Sequence, residues 1–133
     1  MGIIASVLVA LAGLLHVYIF VLESVRWRAP ATWRIFGLTS QEDADTTAPL
    51  AYNQGFYNLF LAIGAVLGAV LLFVSPFGTT VHTVGFTLAL FSAASMLLAA
   101  LVLLSTGISR LRSAAIQGTL PLLGVAFLLL SLL

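Results

Sequence analysis

The sequence predicts an all-α, polytopic membrane protein: four transmembrane helices in an antiparallel bundle, with an interfacial segment between helices 1 and 2. Of 133 residues, 62% are hydrophobic and 7% charged, with a mean hydropathy of +1.20. A soluble domain carries about a quarter charged residues, so this chain cannot cover itself against water. Four apolar runs appear, Ile3–Leu22, Leu50–Val74, Val81–Leu104 and Ala114–Leu133. Each is near the roughly 20 residues that an α-helix needs to cross about 30 Å of hydrocarbon. No run alternates as a barrel strand does, and backbone groups in lipid must bond internally, so the runs are helices.

The expected helices cover about 3–23, 49–74, 81–105 and 113–132, all in one domain. The first reads as a retained helix and not a signal peptide, because no Lys or Arg precedes it and no small-x-small cleavage site follows. It ends in ESVRWRAPATWRIFGL, where Trp27, Trp33 and Phe36 alternate with Arg26, Arg28 and Arg34, the composition of a segment in the headgroup layer. Gly37 then breaks the chain. Thr39 and Glu42 stand at capping-box spacing, so a helical turn starts near Thr39 or Ser40. Pro49 either opens the second membrane helix or kinks one that began earlier. SPFG makes a tight turn to helix 3, and TGISRLRS a short one to helix 4.

All five basic residues are arginines: three between helices 1 and 2, and Arg110 and Arg112 between helices 3 and 4. The positive-inside rule makes that side cytoplasmic and both termini external, in a multi-pass cell-membrane protein. A net charge of +1 gives no basic field for nucleic acid, and the absence of cysteine excludes disulfides and thiol nucleophiles. Walker, dinucleotide, GxSxG and HExxH signatures are missing, so no motif names a reaction or a cofactor.

Polar residues nevertheless converge. At about 100° per residue, His16 and Glu23 share a face of helix 1 with the small stripe Ala5, Val9, Ala12 and Gly13. Gln54 and Asn58 lie above Ala65 and Gly68 on helix 2, with Asn53 and Tyr57 on the flank beside Gly64. On helix 3 the small face is Gly85, Ala89, Ser92, Met96 and Ala99. Helix 4 offers Gln117, Pro121 and Gly124, and Pro121 removes the amide that would bond the Gln117 carbonyl. Orientation puts His16, Glu23, Asn53, Gln54, Tyr57, Asn58 and Gln117 at the cytoplasmic level of three helices. Each residue has a plain reading as well: amides clamp helices, Tyr57 fits an aromatic belt, and Glu23 can pair with Arg26. An ionisable His16 inside hydrocarbon is costly and points to function. One His and one Glu give weak grounds for a metal site.

HVYIFVLE (His16–Glu23), FGL (Phe36–Leu38), NQGFYNLFLAIG (Asn53–Gly64) and QGTLPLLG (Gln117–Gly124) resemble the motifs of a family of small four-helix bacterial and fungal membrane proteins, domain of unknown function thirteen-hundred-and-four. The resemblance spans nearly the whole chain. It implies a compact four-span protein and transfers no catalytic role; Pro49 departs from the unbroken lead-in expected there. Three functions compete: a pocket for the polar head of a lipid, quinone or other amphiphile; a small solute or drug transporter acting as an oligomer; and a scaffold whose Gly64-xxx-Gly68 face packs a partner or a second copy. One-sided polarity ranks the first highest. Whether a bond is made or broken, and whether the chain forms a homo-oligomer, stay open.

Overall fold

The computed structural model describes residues 2–133 and is helical almost throughout, with no strand among the described residues. Helix α1 covers Gly2–Phe20 and runs into a π-helical turn, Val21–Val25. A short helix α2, Pro30–Trp33, follows, then α3 (Gln41–Val74), α4 (Thr80–Ser105), a 3-10 turn (Ile108–Arg110) and α5 (Leu111–Leu130). Four segments are long and apolar enough to cross a membrane: Gly2–Val25, Gln41–Val74, Thr80–Ser105 and Ile108–Leu130. The protein is a multi-pass membrane protein, and large apolar side chains such as Ile3, Leu14, Phe60, Phe91 and Leu98 face outward where lipid would cover them.

The second span begins at Gln41, not near residue 49. Its start is capped by Ser40, whose Oγ accepts from the Asp43 amide at 3.0 Å and donates to Asp43 Oδ2 at 2.7 Å, one residue along from the expected Thr39–Glu42 pair. Glu42 and Asp43 occupy the first turn, where the helix dipole favours them. Thirty-four residues rise about 51 Å, well beyond a hydrocarbon core of about 30 Å. The polar first two turns, QEDADTT, are therefore more than a crossing needs, and Pro49 lies within the helix instead of at its start.

Residues 2–15 with 61–133 form one compact unit and residues 16–60 another. The core of the larger unit is made of small side chains: Ala5, Val9, Ala12, Ala65, Ala69, Ala89, Ala93, Met96 and Leu128. Small residues let backbones approach, which is how helices associate where burial from water gives no drive. A Cβ on Gly68 would stand 2.9 Å from both Ala89 Cα and the Gly85 carbonyl, and one on Gly118 2.9 Å from Ala100 Cβ. Gly64 meets Ser92 in the same way. The Gly64-xxx-Gly68 face is thus consumed by α3–α4 packing within the chain and is not free for a partner. On α4 the buried face ends at Ala100, with Ala99 exposed. Pro121 is fully buried within an unbroken α5.

Candidate functional site

The smaller unit, residues 16–60, carries the polar chemistry. At its centre the π-helical turn that follows α1 meets the first half of α3 through Gly55. A Cβ there would collide with Ser24 Oγ and lie 3.1 Å from Glu23 Cβ and from the Ser24 amide nitrogen. Ser24 Oγ, admitted by that close approach, donates to the Tyr52 carbonyl at 2.9 Å. Beside it Asn58 Nδ2 donates to Glu23 Oε2 at 2.8 Å, with a second, longer contact to the Gln54 carbonyl at 3.2 Å. Phe20 packs edge-on against Phe56, ring centroids 5.1 Å apart, below this polar layer.

Glu23 sits in the π-helical turn, closed by the Arg26 amide reaching back to the Val21 carbonyl at 2.9 Å. A π-turn places one extra residue in the helix and re-aims the side chains around it, and such turns are frequent at functional sites. Glu23 is consequently buried, and its partner is a neutral amide, not a cation.

The connector folds back over the start of α3. Trp27 Nε1 donates to the Ala44 carbonyl at 2.9 Å, and its ring leans on Phe36 with centroids 5.0 Å apart. Trp33 is buried and donates from Nε1 to Gln41 Oε1 at 3.2 Å. Gln41 Nε2 in turn donates to Asp45 Oδ1 at 3.3 Å, and Arg28 Nε lies 3.6 Å from the same oxygen. Gly37, at φ +82°, ends α2: its amide reaches the Arg34 carbonyl and the Leu38 amide reaches back to Trp33, at 3.0 and 3.2 Å. That left-handed stop favours glycine and turns the chain toward Ser40.

Two open grooves flank this arrangement, and Glu23 and Trp27 belong to both. One, of about 360 Å³, is lined further by Ser24, Arg28, Asp45, Pro49 and Tyr52. The other, of about 320 Å³, is lined by Phe36, Leu38, Thr47, Leu50 and Gln54. Pro49 has no amide for the Asp45 carbonyl, which leaves that acceptor out of the helix ladder at the groove wall.

Of the residues expected to converge, the structure brings together Glu23, Asn58 and Gln54, the last through its backbone and its place in the second groove. Asn53 and Tyr57 are exposed and line neither groove. His16 is fully buried in the same unit, with Nε2 shut off from solvent. Gln117 is half-buried on α5, which belongs to the other unit. Ser24, Arg28 and Asp45 were missed as site residues, and Trp27 was expected in the headgroup layer, not bonded to α3. Among the described residues no group of three or more His, Asp or Glu is placed to hold a metal ion.

A scan against protein-family models matches residues 10–129 to "Protein of unknown function (DUF1304)". Searches of curated proteins and of solved structures found no match.

Proposed function

The chain belongs to the DUF1304 family, whose description assigns no activity, and we propose from the site itself that the protein holds the polar head of a membrane amphiphile in the groove beside Glu23. The observation that carries this is Glu23, buried in a widened helical turn, bonded by the neutral amide of Asn58 and part of the walls of two open grooves. Buried ionisable groups in membrane spans are costly and usually serve function. An aromatic and polar lining at the start of the hydrocarbon suits a ligand with a polar head and an apolar tail. The arginine distribution supports a cytoplasmic position for this end of the spans.

Detergent-solubilised protein mixed with phospholipids or a short-chain quinone should unfold at a higher temperature with at least one of them, and Glu23→Ala should remove that shift. Equal shifts in both proteins, or none with any amphiphile, would refute the reading.

A further inference from the structure

We propose that the head taken up beside Glu23 is phosphoethanolamine, a primary ammonium joined to a phosphate, presented by a glycerophospholipid. The proposal rests on the amphiphile reading and narrows it by charge. Glu23 contributes a buried carboxyl group whose bonded partner is uncharged, so a cationic ligand would be the counter-charge to its ionised form. Asp45 adds a second carboxylate to the same 360 Å³ groove, and Pro49 leaves the Asp45 carbonyl outside the helix ladder. A primary ammonium carries three N–H donors and can serve several such acceptors at once, with charge-assisted bonds.

Trp27 and Tyr52 line the same groove, and an ammonium is attracted to the faces of such rings. The bond from Trp27 to the Ala44 carbonyl fixes one of those rings. Arg28 supplies the matching cation. Its side chain is 73% exposed and its 3.6 Å approach to Asp45 is loose, so the guanidinium is available to grip phosphate oxygens at the rim. The groove's volume lies at the low end of the roughly 300–1,000 Å³ of ligand sites, room for a headgroup while acyl chains stay in the bilayer. A choline head has no N–H to donate, and a glycerol head brings no cation to Glu23.

The test uses the full chain in phosphatidylcholine nanodiscs doped with phosphatidylethanolamine or phosphatidylglycerol, with lipid retention read by native mass spectrometry and soluble O-phosphoethanolamine as a separate arm. Phosphatidylethanolamine should be retained about tenfold over either other lipid. Glu23→Gln should abolish that preference by removing the charge while keeping the shape, and the surface variant Arg28→Ala should weaken it. Equal retention of all three lipids, with Glu23→Gln lowering all of them, would overturn the headgroup assignment and leave the amphiphile reading intact. No retained lipid of any kind would sink both. A preference that survives both substitutions places the lipid elsewhere, and binding of the soluble head without lipid preference rejects the lipid source.

Discussion

Gly55→Ala should destabilise the protein even though alanine is the better helix former. In an open helix the exchange gains about 1 kcal/mol. Here the added methyl would overlap Ser24 Oγ and stand 3.1 Å from both Glu23 Cβ and the Ser24 amide nitrogen. The hydroxyl can swing away, which breaks its bond to the Tyr52 carbonyl at a cost of about 1 kcal/mol. The backbone nitrogen cannot swing, so the two helix ends must part by a few tenths of an ångström, and overpacking of that kind costs about 1–3 kcal/mol. Against the gain in propensity, the net loss is about 1–3 kcal/mol. Unfolding in mixed micelles of rising denaturing-detergent fraction reads it, with Gly2→Ala as control, since nothing lies within 4 Å of a Cβ there. Gly55→Ala combined with Ser24→Ala should recover part of the loss, because the hydroxyl clash and its broken bond are then removed together. A Gly55→Ala protein as stable as the parent would mean that the π-helical turn and α3 do not meet at this distance.

Asn58→Leu leaves the Glu23 carboxylate buried without its donor and should cost about 3 kcal/mol, whereas Glu23→Gln, which keeps an acceptor for the same amide, should cost about 1 kcal/mol or less in the same titration. Gly68→Val should prevent stable folding, because its neighbours are the backbone of Ala89 and Gly85; Gly64→Ala meets a serine hydroxyl that can rotate and should cost about 1 kcal/mol, as expression and gel filtration will show. Single cysteines at Gly78 and Arg110 should label from outside and inside the cell respectively with an impermeant reagent, and the reverse result would invert the proposed orientation.

The spans were legible from the length of the apolar runs, and the small seam of α1 from periodicity. Residues at Ala5, Val9 and Ala12 repeat at helical spacing, and all three are fully buried. The choice between adjacent faces of α3 was legible too, although pairing amides by their own spacing obscured it. Ala51, Gly55, Asn58, Ala62, Ala65 and Ala69 recur at alternating steps of four and three, a buried stripe of small residues in which Asn58 is the polar member. Asn53 and Tyr57 each stand two positions from Gly55, about 200° around the helix, so they face away for the same reason that Asn58 faces in.

What sequence could not supply depends on closure between distant residues. The π-turn at Val21–Val25 requires one additional residue per turn and has no compositional mark; it lasts only where tertiary contacts favour it over an ordinary helix. The two bonds that stand beside it, Ser24 to Tyr52 and Glu23 to Asn58, span 28 and 35 positions. Trp27 illustrates the same limit. Alternation with arginine suits a ring resting in headgroups, yet its N–H goes to the Ala44 carbonyl because α3 starts at Gln41, two turns before Pro49. That polar extension of α3 is what carries Asp45 to the groove shared with Arg28 and Glu23. Had the helix begun at Pro49, Asp45 would have no fixed place in the groove wall, and Glu23 would keep its bond to Asn58 without a second carboxylate beside it.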